Sequence, residues 1–314
     1  MTDTLHPDLI AAAALIREVG IAPPLPEDGV AGARRQSDAV SDFVTRDSVA
    51  LDDERLLSFA GPHGSIPAKL YLPDGGQACP LLFYLHGGGF RQGSLHGWDG
   101  ALRRLVRSSG VGILSIDYRL APEHPFPIAF EETLAVMRAV IADGAVDGTP
   151  ISAFAAGGDS GGANLALAAA LSLRDQGVDA LRYLLLFYGV YSTDLAAPSW
   201  GRLSGAFGLS VPQMHEVWQG YLPDAAAVDW RVEPIKADLA GLPPARVIVG
   251  NLDPLLDENV ALDAKLRAAG VASRLTVVPG YNHGGIRLAE VAPMIADLID
   301  AEGLALAAAF TPAG

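Results

Sequence analysis

Residues 151–176 read ISAFAAGGDSGGANLALAAALSLRDQ. A short apolar run, Ile151–Gly157, leads into Gly158-Asp159-Ser160-Gly161-Gly162, and an Ala/Leu-rich stretch, Gly161–Gln176, follows. The first has the length of a strand and the second that of a helix, so the segment reads as strand, tight turn, helix. Gly-x-Ser-x-Gly at such a junction is a nucleophile elbow, in which a strained turn lifts the serine hydroxyl above the sheet. Small neighbours are needed because a Cβ two positions either side of Ser160 would strike adjacent chain. Standing alone, the pattern also fits an ordinary glycine-rich turn; the flanking strand and helix favour the elbow.

Around this unit, short apolar runs alternate with longer helical ones. Candidate strands are Leu56–Ala60, Ile66–Leu72, Leu81–His86, Gly112–Asp117, Ile151–Gly157, Tyr183–Tyr191, Arg246–Gly250 and Arg274–Val278. Helices fit between them at Gly97–Ser109, Ile128–Ala142, Gly161–Gln176, Leu255–Ala269 and near Ala289–Ala301. The central runs are continuously apolar, as in parallel strands covered on both faces. The alternation predicts an α/β fold with a parallel sheet between two helical layers. The first two strands lack an intervening helix, which predicts an antiparallel start. Ahead of them lie two helical stretches, Asp8–Val19 and about Val30–Val44, joined by the connector Ala22–Gly29.

Between Tyr191 and Arg246 no good strand occurs. There Ser210-Val211-Pro212-Gln213 predicts a capping box, and Met214, Trp218 and Tyr221 fall on one helical face. That stripe fits packing against the domain, a lid over an apolar pocket, or both.

Composition bounds the partners. The chain has 314 residues, 50% hydrophobic and 18% charged, with a net charge of −14. Disorder is excluded, and an acidic surface disfavours nucleic acid and anionic lipid. The single cysteine, Cys79, permits neither an intrachain disulfide nor a multi-cysteine metal site. The longest apolar stretch, Leu165–Leu173, falls short of the roughly 18–20 residues of a membrane span. Met1–Asp8 lack the basic and apolar pattern of a secretory signal, so a soluble cytoplasmic protein is expected.

A second local signal is His86-Gly87-Gly88-Gly89-Phe90, after the run Leu81–Leu85. It fits a flexible turn. It also fits an oxyanion hole, in which the N–H groups of Gly88 and Gly89 join that of Gly161 around a developing negative charge. A serine needs a base. Of the seven histidines, His283 follows the last strand candidate and therefore opens on the same sheet edge as Ser160; His86 suits an orienting role. The acid belongs between them. Asp253 comes first after Arg246–Gly250, whereas Asp257 and Glu258 lie inside the next helix, where solvated acids suit the helix dipole. Asp253 is the choice and Asp257 the fallback. No Gly-x-Gly-x-x-Gly follows a strand, which disfavours a dinucleotide-binding oxidoreductase.

Together, His86-Gly87-Gly88-Gly89, the stretch Asp117–Pro127, Gly158-Asp159-Ser160-Gly161-Gly162, Asp253-Pro254-Leu255 and His283-Gly284 resemble the hormone-sensitive-lipase-like esterases of the α/β-hydrolase superfamily, over about residues 50–300. The resemblance implies an α/β-hydrolase fold with an eight-stranded, mostly parallel sheet, helices on both faces and a helical cap. Its domains would be an N-terminal cap part, 1–50, and a catalytic domain, 51–314, with a cap insertion at about 195–230. It implies hydrolysis of small-molecule carboxylic esters with short to medium acyl chains. Ser160, Asp253 and His283 would form the triad, without metal or organic cofactor. Amide or specialised ester hydrolysis stays open, and a binding-only relative is disfavoured by the presence of His283. Met214, Trp218 and Tyr221 would line an acyl or alcohol pocket. Relatives often form homodimers through the last strand and helix; Leu304–Phe310 could serve that or pack on its own domain. Gly161 and Ala163 stand where the family usually has Ala and Gly, and Gly285 where it often has a bulky residue. These departures are expected to bear on one oxyanion donor and on the width of the site beside His283.

Overall fold

Leu81 to Leu85 are five consecutive buried residues. Successive strand side chains point to opposite faces, so Leu81, Phe83 and Leu85 enter one apolar core and Leu82 and Tyr84 another. A strand with two buried faces must lie mid-sheet, and this one does. The computed structural model describes residues 4–23, 25–75, 78–223 and 228–311.

The chain runs α1 (Pro7–Glu18), α2 (Gly29–Thr45), β1 (Asp53–Gly61), β2 (Gly64–Leu72), β3 (Cys79–Leu85), α3 (Asp99–Ser109), β4 (Gly112–Ile116), α4 (Ile128–Asp143), β5 (Ala145–Val146), β6 (Thr149–Asp159), α5 (Gly161–Asp175), β7 (Leu181–Phe187), α6 (Pro198–Leu203), α7 (Val211–Tyr221), β8 (Ala245–Gly250), α8 (Leu256–Ala268), β9 (Ser273–Val278) and α9 (Pro293–Ala309). The sheet order is β1-β2-β4-β3-β6-β7-β8-β9. β1 and β2 form an antiparallel hairpin and β2 lies antiparallel to β4; the remaining neighbours along this path are parallel. The eight expected strands are all present. The ninth, β5, is a two-residue ribbon on β6. One core joins α4, α5 and α8 to the sheet and the other joins α3 and α9.

Two boundaries differ from the sequence reading for visible reasons. β7 stops at Phe187, although apolar residues continue to Tyr191, because Tyr188 turns the backbone to φ 34°. The last helix starts at Pro293 rather than near Ala289, since proline has no N–H to donate and suits the first helical turn. It extends through the alanine-rich tail, burying Leu306 and exposing Leu304.

The segments outside the sheet attach near its carboxyl-end loops. In α1, Leu9 and Ala12 are buried; ahead of it, His6 N–H donates to Gly280 O at 2.9 Å. In α2, Arg34 donates to Arg91 O and Ala121 O and pairs with Glu123. α7 carries the expected capping box at Ser210 and Gln213. Part of the expected cap insertion, residues 224–227, lies outside the described residues, as does residue 24 of the connector. Among the described residues no helix is long and apolar enough to cross a membrane.

Candidate active site

The strand-to-helix turn forces Ser160 to φ 52°, ψ −119°, a conformation L residues seldom adopt. The turn tolerates no side chain on its inner side. A Cβ at Gly158 would lie 2.3 Å from Leu85 O, and one at Gly162 would lie 1.9 Å from the same oxygen. Both glycines are therefore set by close approach to β3, as the spacing predicted.

The turn brings Ser160 to a histidine far away in sequence. Ser160 Oγ lies 2.9 Å from His283 Nε2, and His283 Nδ1 lies 2.9 Å from Asp253 Oδ2. A carboxylate only accepts, so the imidazole proton sits on Nδ1 and Nε2 is left to accept from the serine hydroxyl. Asp253 is fully buried, and its Oδ1 accepts the N–H of Leu255 at 2.9 Å. Asp257, the fallback acid, instead accepts the N–H of Ser199 at the start of α6. Glu258 corrects the picture of a solvated first-turn acid. It turns inward to accept the N–H of Tyr191, and burial, with Asp253 nearby, holds its carboxyl well above the usual carboxylate range.

Beside Ser160 lies the glycine loop. Gly88 (φ 115°) and Gly89 (φ 60°) take backbone angles that suit glycine. Among the described residues their N–H groups meet no protein acceptor, and Gly161 opens α5, where the first N–H groups lack helical partners. The loop is braced from behind. His86 is buried, stacks on Tyr118 at 4.5 Å, and its Nδ1 donates to Gly87 O at 2.7 Å; burial pushes its pKa down to about 4. The stretch Asp117–Pro127 supplies the brace: Tyr118 OH donates to His86 O at 2.6 Å, and Ala121 N–H donates to Phe90 O at 2.8 Å. The N–H of Phe126 donates to Tyr221 O, joining the same stretch to α7.

Met214, Trp218 and Tyr221 are all buried, and the two aromatic ones reach the elbow through one ring. Tyr221 stacks on Phe90 at 4.0 Å and Trp218 tilts against it at 5.9 Å. The Phe90 ring lies 3.2 Å from where a Cβ on Gly161 would stand, so aromatic bulk fills the space that Gly161 leaves. Gly285 does not widen the site in the way its size suggests, because the Tyr281 ring occupies its side-chain space at 2.4 Å.

Sequence reading passed over three contributors. Val217 stands on α7 one turn after Met214 and lies 2.9 Å from the Cβ position of Gly89; its i+3 spacing could have marked it. Phe90 lies inside the quoted glycine motif. Asp159 lies inside the serine motif, and an acid in a buried turn was itself a signal. Burial pushes Asp159 up to about 6, against donated hydrogen bonds from Tyr84 and Gly87 that lower it.

Comparisons with known proteins bear on the family and the fold. A family model described as an alpha/beta hydrolase fold matches residues 82–287. The chain is 34% identical to the carboxylic ester hydrolase LipN of Mycobacterium tuberculosis, covering 91% of this chain and 78% of that protein. It is 31% identical to an ethyl acetate hydrolase of Pseudomonas putida, covering 92% and 94%. Among solved structures, an alpha/beta hydrolase enzyme from the metagenome of Lake Arreo, Spain, superposes with a TM-score of 0.90 at 30% identity, over 98% of this chain and 99% of that one.

Proposed function

Because the chain belongs to the hormone-sensitive-lipase-like branch of the α/β-hydrolase family, we propose that it hydrolyses carboxylic esters through an acyl-enzyme on Ser160, with His283 as base and Asp253 as its orienting acid. The observation that carries the reading is the unbroken relay Ser160 Oγ, His283 Nε2, His283 Nδ1, Asp253 Oδ2, with both steps at 2.9 Å. Ser160 Oγ attacks the ester carbonyl as His283 takes its proton. The carbonyl oxygen becomes an oxyanion facing the N–H groups of Gly88, Gly89 and Gly161, donors suited to charge that appears only in the tetrahedral state. Asp253 stabilises the imidazolium. Collapse expels the alcohol, protonated by His283, and water releases the acid by the same route.

The substrate side is read from α7. Met214, Trp218 and Tyr221, with Phe90, give the cap an apolar inner face, which suits short to medium acyl esters; the Pseudomonas putida relative's name, ethyl acetate hydrolase, points the same way. The cap comprises residues 1–50 and about 195–230 over a catalytic domain of 51–314. The exposed Leu304, beside the buried Leu306, supports a homodimer through the last helix. The single buried cysteine suits a reducing compartment, in keeping with a cytoplasmic location.

Ser160→Ala tests the core of the reading. With p-nitrophenyl butyrate it should lower kcat by roughly 10⁴-fold or more and abolish the acyl-enzyme burst, while the circular dichroism spectrum stays that of the parent. Retained esterase activity in that variant overturns the assignment.

A further inference from the structure

Asp159 takes no part in the proton relay, yet its carboxyl is buried directly behind Ser160. Oδ1 accepts the Tyr84 hydroxyl at 3.0 Å and the Gly87 N–H at 2.9 Å; Oδ2 accepts the Tyr188 hydroxyl at 3.3 Å. The three donors come from β3, from the glycine loop and from the turn after β7. The Tyr188 hydroxyl in turn accepts the N–H of Ile286 at 3.2 Å, and the Tyr188 ring meets that of His283 edge-on at 5.0 Å. One carboxylate is thus one hydrogen bond from the glycine loop and two from the loop that bears His283, while it is covalently next to the nucleophile.

Two details show that the arrangement is tight. A Cβ on Gly87 would stand 2.4 Å from Asp159 Oδ2, so the carboxylate lies against bare backbone. Tyr188 holds a positive φ of 34° that aims its ring beneath the imidazole, and a residue kept in such a region is over-determined by its surroundings. Among the described residues no cation forms an ion pair with Asp159; the field of the buried Arg287 reaches it, yet the unfavourable burial of its carboxylate still prevails. A feature that opposes stability at this place points to a task in the chemistry.

We propose that Asp159 is a positioning residue, which sets Gly87, and with it the N–H groups of Gly88 and Gly89, relative to Ser160 Oγ, and which fixes the flank of His283 through Tyr188. This rests on the triad reading above. The carboxylate holds the oxyanion donors at the place where charge develops, so its effect falls on the transition state more than on the bound ester.

Asp159→Asn tests this, because the amide keeps the shape and loses the charge and one acceptor. With p-nitrophenyl butyrate, kcat should fall roughly 10–100-fold, below the loss from removing an oxyanion donor outright, with KM within about threefold. The inhibition constant of an aliphatic trifluoromethyl ketone, whose serine adduct places an oxyanion in the hole, should rise by the factor by which kcat/KM falls. An unchanged kcat, a loss confined to KM, or a kcat loss without weaker ketone binding overturns the inference. Should Asp159→Asn fail to fold, Tyr188→Phe carries the test. It keeps the ring and removes the hydroxyl that joins Asp159 to Ile286, and it should lower kcat roughly 3–10-fold at steady KM; full kcat there overturns the inference. Ser160→Ala run alongside separates the two failures. Activity surviving in Ser160→Ala defeats the triad reading, whereas an inactive Ser160→Ala beside a fully active Asp159→Asn defeats the positioning role alone.

Discussion

Two sets of acids beside the sheet are built on opposite terms. At the β1–β2 edge, Glu54 and Asp99 face cations. Lys69 Nζ lies 2.9 Å from both carboxylates, and Arg103 lies 2.7 Å from Glu54 and 3.3 Å from Asp99. Burial alone would raise Glu54, yet Arg103, the Leu51 N–H and Lys69 outweigh it and hold the carboxyl at about 2. Behind the nucleophile, Asp159 accepts from two hydroxyls and one backbone N–H with no cation in contact, and burial prevails, leaving it at about 6. A half-buried carboxyl against cations is held low in one place, and a fully buried one with no cation in contact is raised in the other. The difference lies in the charge on the contacting donors and in the depth of burial together. The first arrangement ties β1, β2 and α3 together; the second holds loops around a reactive serine.

The contrast breaks most directly at Arg103. Arg103→Ala leaves Glu54 and Asp99 short of a partner and should destabilise the fold by about 3–5 kcal/mol, read by urea denaturation. The kcat per folded molecule should stay at the parent value. A matching loss of kcat would show that the two acid groups are not separate in function. Tyr84→Phe probes the other side: removing one neutral donor from Asp159 should cost about 1–3 kcal/mol in the same denaturation assay and lower kcat as well. A loss of stability with no change in kcat would align Asp159 with the structural group. The smallest effect is in pH. Glu54 is depressed from the ordinary 4.5 to about 2, so its stabilisation is present above 4.5 and lost as pH falls toward 2. Asp159 is raised from 3.8 to about 6, so its unfavourable contribution is present above 6 and relieved as pH falls toward 3.8. Melting temperatures recorded between pH 5 and pH 3 by calorimetry should fall less steeply in Glu54→Gln than in the parent; parallel slopes would remove Glu54 from the account.

The three side chains that meet at the proposed triad were legible because each follows an apolar strand run, and parallel strands deliver their following loops to one edge. Ser160, Asp253 and His283 could thus be chosen by order and position without any contact being known. The capping box of α7 was legible because it depends on two residues three apart. The partners of Asp159 were not, since Tyr84, Gly87 and Tyr188 reach it from separate parts of the chain and nothing local marks their convergence. The end of β7 was hidden for a related reason: hydropathy records that Tyr188 is apolar enough for a strand, but not that its backbone has turned. Glu258 looked like a surface acid because a first-turn position usually is one, and its inward direction is set by the loop at Tyr191.

The bond from His6 to Gly280 has a consequence for how the molecule comes into being. A ribosome releases residue 6 long before residue 280, so the chain ahead of α1 lacks this bond until the loop after β9 has emerged. An unfinished chain carries the serine but neither its base nor the clasp that steadies the base's loop. The relay from Ser160 to His283 can therefore close only after residue 283 has left the ribosome.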